Sequence, residues 1–177
     1  MRYTPTPLAG AFVVDIERIE DARGFFSYLF ESGEAKAHGL NTDVLQVKLS
    51  SNKIKGTLRG LHLQLPPAEE CKLLRCIRGA VYDVIVDFRP DSPTYLQHFA
   101  VELSNDNHRA VYVPPMFAHG YQTLTDGAEV MYQVDRAYSP KHEMGLRYND
   151  PALKIEWPLP VTQISEKDKA WPLIGRQ

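Results

Sequence analysis

The sequence has little cysteine and no long apolar run. Only two of its 177 residues are cysteines, Cys71 and Cys76. Their odd spacing places them on opposite faces of a strand, which favours neither a disulfide nor a zinc pair. No window approaches the roughly 18 apolar residues of a membrane-spanning helix, and the N-terminal stretch lacks the pattern of a signal peptide. We therefore expect a cytoplasmic protein with no membrane partner.

The sequence also lacks an excess of either charge. Its 20 basic and 22 acidic residues give a formal net charge of −2, and no basic run is dense enough to track a polyanion. Nucleic acid is therefore not expected as a partner. The length fits one domain, residues 1–177, that buries a substantial core.

What the sequence does contain is a series of short segments rich in Val, Tyr, Phe and Ile, separated by polar turns. Such segments are typical of strands. We expect four consecutive strands at 80–88, 97–103, 109–115 and 129–135, and earlier strands at 11–19, 43–51 and 56–64. Segment 27–40 predicts a short N-terminal helix, and the proline-punctuated segment 149–174 predicts extended chain with short helical turns. This pattern predicts an all-β sandwich or jelly roll.

Several polar residues lie in or beside these apolar strands. An unpaired charge there would cost several kcal/mol, so a wet, polar interior pocket is the simplest way to accommodate them. One such histidine or tyrosine alone would more often be structural, and the number of them together favours a pocket. The residues are Arg59, His62, Gln64, Lys72, Arg75, His119, Tyr132 and Gln133.

A metal site is the first alternative for such a pocket. Metal-binding jelly rolls carry a His-x-His pair, a glutamate and a later histidine. Here His62 and His119 are suitably spaced, but Gln64 replaces the second histidine of the pair, with Glu69 and Glu70 following. Two histidines and a carboxylate are acceptable ligands for iron or zinc. The fixed charges of Arg59 and Lys72 nevertheless favour an anion over a cation, so we expect no metal.

A set of motifs then resembles one known family, the dTDP-4-dehydrorhamnose 3,5-epimerases. The resemblance runs over nearly the whole chain, in the family's order and spacing. The motifs are RGFF (23–26), GTLRGLHLQ (56–64), KLLRCIRGAVYDVIVDFRPDSPTY (72–95), VPPMFAHGYQTL (113–124), MYQVDRAYSP (131–140), NDP (149–151) and WPLP with ISEKD (157–168). The resemblance implies a cupin-type jelly roll and a homodimer with exchanged N-terminal strands. It also implies epimerisation of a nucleotide-linked 4-keto-6-deoxy sugar without metal or other cofactor, and the expected nucleotide is dTDP.

The chemistry of such a reaction suits the residues. Hydrogens on C3 and C5 are both α to the C4 carbonyl, so inversion needs a base, an opposed acid and a positive group at the C4 oxygen. His62 suits the base and Lys72 the positive group. Tyr132, ordinarily protonated at neutral pH, suits the acid. By resemblance, Asp168 accepts the other ring proton of His62.

The resemblance also implies residues that bind the substrate. Positively charged or imidazole side chains match contacts to the diphosphate and nearby groups. These are Arg23, Arg59, His119 and Lys167. Gln46 and Glu143 match polar contacts, Phe26 of the RGFF motif matches a further substrate contact, and Tyr138 matches an aromatic side chain stacked on the base.

Two alternatives remain open from the sequence. One is an epimerase that inverts only C3 or only C5, on another nucleotide-linked keto sugar. The other is a non-catalytic cupin, binding a sugar nucleotide or a metal. An acid and a base on opposed faces would serve no purpose in binding alone, which favours the enzyme.

Overall fold

The computed structural model describes residues 1–175 and consists mainly of antiparallel strands. The strands are β1 (Arg2–Pro5), β2 (Phe12–Asp15), β3 (Ile19–Asp21), β4 (Gly24–Phe26), β5 (Gln46–Ser51), β6 (Leu58–Gln64), β7 (Lys72–Arg78), β8 (Ala80–Asp87), β9 (His98–Ser104), β10 (Ala110–Val113), β11 (Phe117–Thr123), β12 (Glu129–Val134) and β13 (Glu143–Gly145). Helix α1 (Ser32–Ala37) precedes β5, and α2 (Glu166–Ala170) follows β13.

Two sheets face each other to form a jelly roll. One has six strands in the order β1-β2-β10-β7-β12-β5, and the other has five in the order β13-β6-β11-β8-β9. Strands β3 and β4 form a separate hairpin. The predicted all-β jelly roll with a short N-terminal helix and short C-terminal helical turns is confirmed.

Apolar residues cover both faces of each main sheet. Between the sheets, Leu74 and Val111 pack with Ile85 and Phe117. Outside the five-stranded sheet, the C-terminal segment packs on a second cluster, while α1 packs on the outer face of the six-stranded sheet. Successive side chains of a strand point to opposite faces of its sheet. A strand whose sheet is covered on both faces therefore needs a nearly continuous run of apolar residues, and the sequence contains such runs.

The two cysteines lie in different clusters. Cys71 packs with Ala35 and Tyr112 under α1, and Cys76 packs between the sheets. Both thiols are free and buried, and burial raises the pKa of the Cys71 thiol to about 12. The two cysteines thus lie on opposite sides of the six-stranded sheet, as their odd spacing predicts.

The expected run of four consecutive strands is wrong in one respect. In the sequence, an additional strand that was not predicted, β11, comes between β10 and β12. In space, β11 occupies the centre of the five-stranded sheet, beside β6 and β8. Its sequence, FAHGYQT, contains a glycine and a histidine, so its local pattern is weak. The helix is also shorter than segment 27–40, and segment 11–19 divides into β2 and the start of β3.

A pair of glycines lets β6 and β11 approach closely where both carry a histidine. A Cβ on Gly60 would lie 2.6 Å from the Cα of Gly120, and Gly60 has a φ of +106°. Glycine is therefore the residue that fits this crossing. The close pairing sets His62 opposite His119, with the register shifting before Tyr121.

Candidate active site

A cavity of about 840 Å³ opens between the two sheets. This volume lies within the usual range for small-molecule sites, about 300–1,000 Å³. Side chains from both sheets line it, and the C-terminal segment that ends in α2 forms one wall. The lining residues are Ser50, Thr57, Leu58, Arg59, His62, Lys72, His119, Gly120, Tyr121, Tyr132, Val161, Thr162, Gln163, Ile164, Ser165, Lys167, Asp168 and Lys169.

His62 and Asp168 form a hydrogen-bonded pair at one side of the cavity. The Nε2 atom of His62 lies 2.6 Å from Oδ1 of Asp168. Although burial raises the pKa of the Asp168 carboxyl, its hydrogen bond to His62 and the nearby imidazole charge outweigh this, so its pKa is below the usual value. The carboxylate is therefore the acceptor and Nε2 the donor. Within residues 1–175, Nδ1 has no hydrogen-bond partner and is left as the basic nitrogen.

Local structure holds Asp168 in place. The hydroxyl of Ser165 caps α2 by accepting from the Asp168 N–H, and the Gly60 N–H donates to Oδ2 over 3.3 Å. Serine is a favoured N-cap residue because it satisfies a free amide of the first helical turn. Two elements far apart in sequence, β6 and α2, thus fix the carboxylate beside the imidazole.

Lys72 enters the cavity from β7, in the opposite sheet. Its Nζ donates to the His62 carbonyl over 3.2 Å and lies 3.3 Å from Oε1 of Glu70. Burial lowers the pKa of Lys72, and the charge of Glu70 opposes this effect. The ammonium is therefore held between the Glu70 carboxylate and the backbone of His62, on the cavity that the His62 ring also lines.

Tyr132 projects into the same cavity from β12. Its ring lies beneath the Nζ of Lys48, 5.8 Å from the ring centroid. Burial raises the pKa of its hydroxyl, and the nearby Tyr121 and Glu70 raise it further. Tyr132 is therefore a protonated donor at neutral pH, on the sheet opposite His62.

A second histidine–carboxylate pair lies beside the first. The Nε2 atom of His119 is 2.8 Å from Oδ2 of Asp83, a fully buried residue of β8. The other oxygen of Asp83 has no hydrogen-bond partner among the described residues. Sequence reasoning missed Asp83, although an aspartate flanked by apolar residues in the middle of the strand AVYDVIVD was a usable signal.

Arg59 is held by a polar network that the sequence reasoning also missed. Its Nε donates to Asn52 over 2.7 Å, and the Asn52 amide donates to the Tyr121 hydroxyl over 3.3 Å. That hydroxyl also lies 2.7 Å from Oγ of Ser50. The network joins β5, β6 and β11 and fixes the arginine on the cavity wall.

Three of the predicted binding residues interact with one another near the cavity mouth. Glu143 accepts from Lys167 Nζ and from the Tyr138 hydroxyl, each over 2.5 Å. Burial raises the pKa of Glu143, but the contact with Lys167 outweighs this and holds it below the usual value. Lys167 lines the cavity, whereas Tyr138 and Glu143 are not among its lining residues.

Three further predicted binding residues do not line the cavity of their own chain. Arg23, at the tip of the β3–β4 hairpin, is 90% exposed and pairs with Asp21. Phe26 is 59% exposed, and Gln46 begins β5 in an exposed position. Their role in substrate binding stays a prediction. Arg23 and Phe26 lie on the β3–β4 hairpin, which is separate from both main sheets, and Gln46 lies in β5, an edge strand of the six-stranded sheet.

Three other polar residues from the proposed pocket set also lie elsewhere. Arg75 and Gln133 are at odd spacing from Lys72 and Tyr132, so they point to the opposite face of the same sheet. Gln64 faces inward, but its amide bonds the backbone of residues 68, 137 and 139. Among residues 1–175, no cluster of three or more His, Cys, Asp or Glu side chains is arranged to hold a metal ion.

Comparison with known proteins agrees with this architecture. The family model described as dTDP-4-dehydrorhamnose 3,5-epimerase matches residues 5–175. The enzyme of that name from Pseudomonas aeruginosa is 41% identical over 174 residues, covering 96% of this chain and 93% of its own.

Two crystal structures extend the comparison. The epimerase of the same name from Bacillus anthracis, with TDP and PPi bound, is 39% identical, with a TM-score of 0.94 over 98% of this chain and 99% of its own. A dTDP-6-deoxy-D-glucose-3,5-epimerase from Legionella pneumophila, in complex with dTDP-4-keto-L-rhamnose, is 35% identical, with a TM-score of 0.90 over 97% of this chain and 92% of its own.

Fold and matches together define a cupin-type isomerase. The chain belongs to the dTDP-4-dehydrorhamnose 3,5-epimerase family. Along residues 1–175, the helices are all too short or too polar to cross a membrane.

Proposed function

We propose that the protein inverts C3 and C5 of a dTDP-linked 4-keto-6-deoxy sugar, as its relatives' names describe for them. One observation carries the proposal: a hydrogen-bonded His62–Asp168 pair on one side of a cavity, with Lys72 and Tyr132 entering from the opposite sheet. A base, a positive group and a protonated donor are the three groups that such an inversion needs.

His62 starts the reaction as the general base. Its Nδ1 takes the proton from C3 or C5, and the electron pair of the broken C–H bond moves toward the C4 oxygen to form an enolate. Asp168 stabilises the imidazolium and keeps the neutral ring in the tautomer that leaves Nδ1 unprotonated. Asp168 is buried, whereas the His62 ring is 34% exposed and lines the cavity in which it would meet the substrate.

Lys72 and Tyr132 complete the inversion. The Lys72 ammonium donates to the enolate oxygen and stabilises its charge. Tyr132 then donates its proton to the carbon from the face opposite His62, which inverts the centre. Solvent returns a proton to the tyrosinate and removes one from the imidazolium, so each cycle balances and no cofactor is consumed.

The charged cavity wall suits a nucleotide diphosphate. Arg59 and Lys167 supply positive charge, and His119 supplies a further donor, on the same cavity as the His62–Asp168 pair. Arginine and lysine are the residues that bind phosphate oxygens most strongly. The Tyr138 ring is exposed and can stack on the base, and Glu143 orients both the Tyr138 hydroxyl and Lys167.

We place the reaction in the cytoplasm, where thiols such as Cys71 and Cys76 stay reduced.

We also propose a homodimer in which the N-terminal hairpin of one chain completes the cavity of the other. Its support is the exposed apolar surface around the hairpin and β5, which a single chain leaves uncovered. The surface comprises Phe25, Phe26, Tyr28, Leu29, Val47 and Leu49. Arg23, Phe26 and Gln46 would then serve the partner's substrate, which explains why they do not line their own cavity.

Sedimentation and complementation test this dimer. We expect a mass of two chains, and we expect Arg23→Ala to weaken substrate binding while the mass is unchanged. Mixed dimers of Arg23→Ala and His62→Asn chains should regain activity in one of their two sites, because one site receives both native residues. A monomer, or mixed dimers no more active than either parent, would contradict the proposal.

The activity itself is tested in deuterated water. The protein is incubated with dTDP- and with CDP-4-keto-6-deoxyglucose, with and without EDTA, and deuterium is located by NMR. We expect deuterium at both C3 and C5 of inverted product with the dTDP sugar, and an EDTA-independent rate. Label at one carbon alone would identify a monoepimerase, binding without label a non-catalytic cupin, and EDTA-sensitive turnover a metal enzyme.

A further inference from the structure

We propose that Glu70 is a positioning residue of this reaction, whose carboxylate holds the Lys72 ammonium charged and directed at the substrate oxygen. This inference rests on the proposed function, in which Lys72 stabilises the enolate. Glu70 does not line the cavity and so acts through Lys72.

The geometry fixes Lys72 between two anchors. Oε1 of Glu70 lies 3.3 Å from Nζ on one side, and the His62 carbonyl lies 3.2 Å away on another. The side chains of the lysine and the glutamate are only 9% and 11% exposed. A lysine this buried would tend to lose its proton, so a buried counter-charge at this distance determines its charge state.

The other charged groups around Lys72 do not replace Glu70. The groups facing it are Lys48 from β5, His62 from β6, Asp83 from β8 and Tyr132 from β12, besides Glu70 itself. Burial lowers the Lys72 pKa most, Glu70 opposes this most strongly, and Lys48 lowers the pKa further. Of these influences on the Lys72 pKa, the rise caused by Asp83 is the smallest, and Oδ2 of Asp83 is already hydrogen-bonded to His119.

Glu70 acts on the proton donor in the same direction. After burial and the neighbouring Tyr121, its charge raises the pKa of Tyr132. One carboxylate therefore favours the protonated form of both the enolate-stabilising cation and the opposite-face acid. Both groups lose function when they lose a proton, so Glu70 extends activity toward alkaline pH.

The test is the pH profile of kcat for Glu70→Gln, with Glu69→Gln as the matched control. Without the carboxylate, we expect the alkaline limb to move to lower pH by about one unit or more, because an opposite charge at this distance shifts a pKa by about 1–3. The KM for the sugar nucleotide should change little. Glu69 carries the same charge one residue earlier and makes no ion pair with Lys72, so Glu69→Gln should keep the wild-type limb. An unmoved limb in folded Glu70→Gln, or an equal shift in both variants, would overturn the inference.

A second variant covers the case in which Glu70→Gln does not fold. If Glu70 serves to compensate Lys72, the double variant Glu70→Gln/Lys72→Met should regain the thermal stability that the single variant loses. A double variant as unstable as the single one would show a structural role unrelated to Lys72. The single variant Lys72→Met separates the role of Lys72 from the role of Glu70. Full turnover in Lys72→Met would reject the proposed role of Lys72 itself. Lost turnover in Lys72→Met, together with an unmoved alkaline limb in Glu70→Gln, would reject only the inference about Glu70.

Discussion

His62→Asn is expected to remove nearly all hydrogen exchange at both C3 and C5. Asparagine retains a polar group of similar reach but cannot accept a proton at neutral pH, and a general base typically contributes ~100-fold or more. The measurement is deuterium incorporation into substrate and product, followed by NMR. His38→Asn, on an exposed residue after α1, is the matched control and should retain the wild-type rate.

Asp168→Asn should lower the same rate by a smaller factor. The amide can still contact Nε2, but it no longer stabilises the imidazolium or selects the tautomer with a free Nδ1. Both variants should fold. Loss of a general base should leave about one hundredth of the wild-type exchange or less. If His62→Asn kept more than about a tenth, another residue would have to remove the proton.

Tyr132→Phe is expected to separate exchange from inversion. The ring, the enolate and His62 remain, but the opposite-face donor is lost, so the protonated His62 can only return hydrogen to the face from which it came. The imidazolium exchanges with solvent, and recovered substrate should therefore carry deuterium at C3 or C5 while little inverted product forms. NMR of substrate and product gives the ratio of exchange to inversion.

The contrary result is equally clear for Tyr132. If the ring only packs in the wall, phenylalanine conserves its shape and the wild-type ratio should persist. Tyr82→Phe is the control, since Tyr82 packs on Trp157 outside the cavity, and it should leave the ratio unchanged. An unchanged ratio in folded Tyr132→Phe would reject Tyr132 as the acid and leave a water or Tyr138 as the donor to be tested.

Local sequence pattern predicted most of the strands because they are short runs rich in β-branched and aromatic residues, bounded by polar turns. It was insufficient at β11, whose glycine and histidine are required by the crossing with β6 and by the cavity. It also placed Arg75 and Gln133 in the pocket with Lys72 and Tyr132. Their odd spacing instead directs them to the other face of the sheet.

The sequence by itself determined the strand-rich class, the free cysteines and, through motifs spread over the chain, the family. It also named His62, Lys72, Tyr132 and Asp168 as a set. Only the tertiary structure decided which polar groups meet, because most of those contacts join segments that are far apart in the sequence. His62 and Asp168 join β6 to α2, and Asp83 and His119 meet across paired strands of one sheet. Glu70 and Lys72 are only two residues apart, but their contact depends on the direction of each side chain. No local pattern carries that information, since register depends on pairing between distant segments.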